Sequence, residues 1–227
     1  MKSTIIHEDA ALLVVHKPAG LAAQTAHLGQ PDLVSELKNY RKSKNEDTYI
    51  GVIHRLDQPV EGLLVFAKTP EAAKRLSAEL SDKTLVKRYS ALICGKPSAQ
   101  QGTLTDYLQK DARTNLSAVV PGTAKGAKPA KLSWKLIKSF STASGAYSLV
   151  EIELFTGRHH QIRVQMSNAG YPLLGDAKYG SAQSQKISAQ AGITSAALIA
   201  DYIEFVHPQS KKTLSFKTAY PSEWKIC

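Results

Sequence analysis

The residues with the most chemical potential stand together in Ile53-His54-Arg55-Leu56-Asp57-Gln58-Pro59. An extended segment sends His54 and Leu56 to one face and Arg55 and Asp57 to the other. A carboxylate kept ionised by a nearby guanidinium is a credible nucleophile, because the cation lowers its pKa. An Asp beside a Pro is also an ordinary turn residue, and Arg55 could be a phosphate contact or a surface ion-pair partner. The second group is Gly157-Arg158-His159-His160-Gln161-Ile162-Arg163-Val164. Its two adjacent His lack acidic or Cys ligands at useful spacing, so no metal site is expected there. A turn and helix start rich in Arg, His and Gln suits phosphate and base-edge contacts, or is simply a solvated basic turn. In the third group, Lys87-Arg88-Tyr89, the Tyr is either a core or rim residue or a platform on which a base can stack. Lys17 and Lys68 are candidate amines for covalent chemistry, but nothing around them marks a cofactor pocket. Phosphate-cradling Gly-rich loops, dinucleotide fingerprints and G-x-S-x-G elbows are absent from the sequence.

These groups must be positioned by regular elements. Leu12 to Val15 reads as a short strand stopped by the turn Lys17-Pro18-Ala19-Gly20. Asp32 to Lys44 has the apolar spacing of an amphipathic helix, with Leu33, Val34, Leu37 and Tyr40 on one side. Tyr49 to Ile53 and Gly62 to Ala67 read as strands flanking the polar turn that holds Asp57. Thr69-Pro70-Glu71 opens a helix to about Asp82, the Thr capping and the Pro suiting the first helical position. Leu85 to Ile93 alternates as a half-buried strand. Pro121 to Lys131 reads as a mobile, basic surface loop. Leu132 to Ile137 and Tyr147 to Phe155 are strands, and Ile162, Met166 and Ala169 suit a short helix from Gln161, ended by Gly170 and Pro172. Leu174 to Gly180 is Gly-rich and tight, and Ala197 to Val206 and Thr213 to Lys217 resume strand character. Strands outnumber helices and short turns join neighbours. The expected fold is therefore α+β, a mixed, mostly antiparallel sheet with flanking helices, one bilobed domain over residues 1–227.

Composition narrows the class. The chain has 227 residues, 43% hydrophobic and 21% charged, which is globular and long enough to bury a core without staples. Cys94 and Cys227 are the only cysteines, too few for a disulfide framework, so a reducing compartment, the cytoplasm, is expected. No secretory leader or membrane-spanning run is legible. The formal net charge of +10 favours a polyanionic partner, most often nucleic acid, and the excess is concentrated after residue 113.

In combination the motifs resemble the RluA-type pseudouridine synthases. His54-Arg55-Leu56-Asp57 followed by Gly62-Leu63-Leu64-Val65-Phe66-Ala67-Lys68 carries the likeness. Lys17 to Leu21, Lys87 to Leu92, Gly157 to Val164, Gly170 to Asp176 with Tyr179-Gly180, and Phe205 to Pro208 with Leu214 to Phe216 follow in the family's order. The likeness runs from about residue 9 to 222. It implies a two-lobed fold around an RNA-binding cleft, and isomerisation of uridine to pseudouridine in ribosomal or transfer RNA with no metal or organic cofactor. It gives Asp57 the place of the catalytic aspartate, Tyr89 that of the active-site tyrosine, and Arg163 that of the arginine that pairs with the aspartate. Arg55 matches the arginine that flips and holds the nucleotide, and His54, Arg158, His160 and Lys17 are expected beside it on the RNA.

The sequence departs from the family at Val60-Glu61, where Thr-Ser is usual, at His159 in place of Thr, and at Gln165 in place of His. None of these replaces Asp57, Tyr89 or Arg163, so activity is expected. An RNA-binding protein on the same fold without catalysis is the alternative that Val60-Glu61 keeps open. A glycosidase acting on free nucleosides is a third reading and would need a second acid, for which Glu61 is the nearby candidate. Residues 1–10 are too few for a separate RNA-binding module, so target choice is expected from the catalytic domain, including the loop around Lys125 and Lys128. A monomer is expected.

Overall fold

The computed structural model describes residues 1–25 and 29–224; Cys227, which entered the compartment argument, lies outside the described residues. The chain divides into two compact units, one built from residues 1–87 and 200–219, the other from residues 88–199 and the segment from Tyr220 onward.

In the first unit the Asp9 carboxylate accepts N–H bonds from Ala11 (2.7 Å) and Leu12 (3.0 Å), a turn that reverses the chain between β1 (Thr4–Glu8) and β2 (Leu12–Lys17). Helix α1 (Leu33–Ser43) starts where Asp32 accepts the Ser35 N–H at 2.7 Å and buries Leu33, Val34 and Leu37. A two-residue strand β3 (Gly51–Val52) and the longer β4 (Glu61–Ala67) flank the Asp57 loop. Helix α2 (Pro70–Ser81) is capped by Thr69, whose hydroxyl accepts the Ala72 N–H, with Pro70 at its start.

The second unit opens with β5 (Val86–Cys94), whose first two residues still belong to the first unit. It continues through β6 (Gln101–Asp111), β7 (Leu116–Val120), β8 (Lys128–Thr142) and β9 (Gly145–Leu154) to helices α3 (Gln161–Asn168) and α4 (Ala182–Ala191). Its strands lie in the order β5-β9-β8-β6-β7, each antiparallel to the next. Leu92, Leu149, Leu174, Ile187, Ile199 and Trp224 form its core. The chain then returns to the first unit through most of β10 (Leu198–Val206) and β11 (Thr213–Lys217), giving the strand order β1-β2-β4-β10 with β3 on β4 and β11 on β10. Val14, Val65, Leu76, Ile203 and Phe205 lie in that unit's core.

The expected class holds: α+β, mostly antiparallel, with four α-helices among the described residues. Among the described strands and α-helices, β1, β6, β7 and α4 had no counterpart in the reading of the sequence. The stretch from Pro121 to Lys131, expected as a loop throughout, turns only as far as Ala127 and then enters β8. Pro129 is tolerated there because it pairs with Tyr107 of β6 on one side, while β9 joins β8 only from Leu132 onward. Tyr49 to Ile53 shrinks to the two residues of β3.

Candidate active site

Residues 53–57 leave β3 without forming a strand, yet their alternation survives. His54 and Leu56 are buried, Arg55 is exposed and Asp57 is half-buried. The Val60 N–H donates to the Asp57 carbonyl at 3.1 Å and closes a turn over Gln58-Pro59. Lys17 explains how such an irregular loop keeps one position. Its side chain is fully buried, and its ammonium donates to the carbonyls of Pro18 (3.0 Å), Leu21 (2.7 Å) and Gln58 (3.1 Å). Two further bonds join the same segments: the Gly20 N–H to the Gln58 carbonyl (2.9 Å) and Gln58 Nε2 to the Gly20 carbonyl (3.1 Å). Burial pushes the Lys17 ammonium down to about 8, while the Asp57 and Glu61 carboxylates favour its charged form. The attraction is mutual, so a buried cation stands behind the Asp57 loop.

Lys17 was expected on the RNA; its burial makes it a staple for the loop instead. His54 was expected there too, but it is 8% exposed and its Nε2 accepts a long bond from the Val65 N–H at 3.4 Å. Burial, and then the nearby Lys87, push its imidazole well below the ordinary range, so it packs as a neutral ring. Val60, which departs from the usual Thr, is 2% exposed and fills space inside the unit. Gly62 starts β4 at φ +122°, and a Cβ there would lie 2.4 Å from the Ala200 carbonyl oxygen, so only glycine fits.

In the second unit the turn before α3 is organised by Gln161. Its Oε1 accepts the Arg158 N–H (2.9 Å) and the Thr156 hydroxyl (2.8 Å), and its Nε2 donates to the Lys131 carbonyl (3.1 Å) and to Gln165 Oε1 (3.0 Å). Arg158 Nε donates to the Pro129 carbonyl at 2.8 Å. His160 takes the left-handed conformation, φ +54°, as α3 begins. Tyr179 Oη accepts the Ser117 N–H (2.8 Å) and shares a hydrogen bond with His160 Nδ1 (2.8 Å). Burial first, then Arg163, His159 and Lys178, push His160 down to about 3.

Arg163 is buried, and its Nε and Nη2 meet the two Asp176 oxygens at 2.7 Å each. Burial works to raise the Asp176 carboxyl, but Arg163 together with the N–H groups of Lys178 and Tyr179 holds it below the ordinary carboxylate range. Asp176 was not singled out from the sequence. Its partner stands 13 residues earlier, a separation with no helical or strand period, and the one available signal was an Asp directly after Gly in a tight turn. Tyr89 is buried on β5, opposite Ile152 of β9. Gln165, where the family's His is usual, is buried and donates to Asp106 Oδ2 at 2.7 Å, so this departure is absorbed inside the unit. Among the described residues no group of three or more His, Cys, Asp or Glu could hold a metal ion, and no helix is long and apolar enough to cross a membrane.

Residues 11–168 match the RNA pseudouridylate synthase family. The chain is 34% identical over 223 residues to an uncharacterised RNA pseudouridine synthase of Bacillus subtilis, YhcT, covering 97% of this chain and 70% of that protein. It is 34% identical to ribosomal large subunit pseudouridine synthase D of Zymomonas mobilis (98% and 70% covered) and 31% identical to ribosomal large subunit pseudouridine synthase C of Vibrio cholerae (94% and 64% covered). Thus the chain spans about two thirds of the length of these relatives. Human RNA pseudouridylate synthase domain containing 4 shares the fold, with a TM-score of 0.76 at 22% identity over 97% of this chain and 90% of that one.

Proposed function

The chain belongs to the RNA pseudouridylate synthase family, isomerases that act on RNA, and we propose that its reaction is carried by Asp57, Tyr89 and Arg163. In this reading the uridine leaves the stack, because its reacting atoms are unreachable inside a duplex. The Asp57 carboxylate acts as nucleophile while the bond between the uracil nitrogen and the anomeric carbon breaks. The freed base turns, its carbon 5 bonds to that carbon as the carboxylate is released unchanged, and the proton on carbon 5 is lost as the nitrogen gains one. Tyr89 packs against the turning base and is the candidate acceptor for that proton, and Arg163 supplies the cation that favours an ionised carboxylate. Atoms and charge balance without an organic cofactor or a metal. Arg55, exposed two residues before Asp57, and Arg158 are the arginines offered to the RNA backbone.

The observation that carries this reading is the loop itself. An aspartate on irregular backbone is held by a buried ammonium bonded to three main-chain carbonyls, the kind of preorganisation that a reacting group requires. The Vibrio cholerae and Zymomonas mobilis relatives are named for the ribosomal large subunit, so ribosomal RNA is the first candidate here, with transfer RNA second. The protein is read as a cytoplasmic monomer. The deciding experiment is tritium release from ribosomal and transfer RNA labelled at carbon 5 of uridine, with wild type and Asp57→Asn side by side. Release by wild type alone supports the reading; salt-dependent RNA binding by wild type with no release across both RNA classes replaces it with a non-catalytic RNA binder.

A further inference from the structure

The buried pair between Arg163 and Asp176 does more than join α3 to the turn at residues 174–180. Taking two charges out of water is costly, and an apolar pair of similar volume would hold the same elements at least as well. What the ion pair adds is direction. Two parallel bonds through Nε and Nη2 fix both the plane and the rotation of the guanidinium, which a single contact cannot do.

The carboxylate is itself immobilised. Asp176 Oδ1 accepts the N–H groups of Lys178 (2.9 Å) and Tyr179 (3.2 Å), and its carbonyl accepts the Gly180 N–H (2.9 Å) and Gln185 Nε2 (3.0 Å). The Tyr179 ring lies 5.2 Å from Arg163 Cζ, and its hydroxyl is tethered to Ser117 and His160. The guanidinium is thus gripped along one edge and backed by a fixed ring. We infer that Asp176 is a positioning residue for the reaction, presenting Nη1, the one guanidinium nitrogen it does not bind, in a constant direction. This rests on the reading that Arg163 takes part in catalysis.

The test is single-turnover tritium release from labelled large-subunit ribosomal RNA with wild type, Arg163→Lys, Asp176→Asn and the double variant, each checked by a urea melt. Asp176→Asn is expected to lower the rate at least about tenfold, because a small misplacement near the reacting atoms is costly, while the RNA concentration for half-maximal rate stays put. If Asp176 acts through Arg163, the double variant is no slower than Arg163→Lys alone. Losses that multiply, or a full rate in Asp176→Asn, overturn the inference. An inactive wild type, or a fully active Arg163→Lys, removes the catalytic reading beneath it and the inference with it. Should Asp176→Asn fail to fold, Tyr179→Phe keeps the ring and removes the tether. A rate loss of about threefold or more at unchanged RNA affinity supports the inference, and an unchanged rate overturns it.

Discussion

In the first unit a single ammonium, Lys17, gathers three main-chain carbonyls around the loop that carries Asp57, whereas in the second a carboxylate, Asp176, grips Arg163 by its side chain. The difference follows from the backbone each group stands on. Asp57 sits on irregular chain between β3 and β4, where no ladder or helix fixes the dihedral angles, so the backbone itself needs a staple. Arg163 sits in the first turn of α3, where the helix already fixes the backbone and only the long side chain needs orienting. One unit therefore spends a buried cation on main chain and the other a buried anion on a side chain.

Replacement of the two charged groups separates these roles. The largest effect is expected from Asp57→Asn: tritium release should fall by about a thousandfold or more, with the urea melt and RNA affinity unchanged. Turnover left intact in a clean preparation would remove Asp57 from the chemistry. Next, Arg163→Met leaves Asp176 as a buried charge with its main partner gone, and should cost about 3–5 kcal/mol in a urea melt. Lys17→Met takes the ammonium from three neutral carbonyls, of which that of Gln58 keeps the Gly20 N–H, and should cost less, about 2–3 kcal/mol, while also slowing isomerisation. A larger stability loss at Lys17 than at Arg163 would reverse the comparison.

pH sharpens it further. Lys17 is held near 8 in the folded protein against an ordinary 10.5. Between those values the unfolded chain binds a proton that the folded chain has released, so this site's contribution to stability rises with pH. Activity should move the other way, falling above pH 8 as the cation behind Asp57 is lost. A pH series of urea melts and initial rates reads both, and the stability slope should vanish in Lys17→Met. A rate and a stability that fall together across that window would break the assignment. The smallest effect is expected away from both regions: Asp32→Ala removes the α1 cap and should cost about 1 kcal/mol with no change in rate.

How much of this was legible in the sequence depends on the range over which each residue acts. Helices α1 and α2 begin where Asp32 and Thr69 announce them, because a cap is a local bond. The burial alternation from His54 to Asp57 was legible for the same reason, although the strand was not there. By contrast β6 escaped notice because Thr103, Thr105, Tyr107 and Gln109 are all exposed and only Leu108 on its other side is fully buried, leaving little apolar alternation. Helix α4 has Ile187 as its one large buried apolar residue, and its start depends on a Ser181–Ser184 capping box rather than the more familiar acidic one. Lys17 and Asp176 were misread or missed because their roles depend on partners that chain order does not bring to view: the Gln58 carbonyl 41 residues on, and a guanidinium on another element.

The return of the chain to its first unit sets a schedule for synthesis. Ile203, Phe205, Leu214 and Phe216 pack on a core whose other members all precede residue 86. A chain emerging from the ribosome must therefore carry that half-built apolar surface while more than a hundred further residues are added, on the order of ten seconds at ordinary elongation rates. During that interval the strands around Asp57 lack their closing neighbours. The core beneath the Asp57 loop is thus complete only once β10 and β11 have been made.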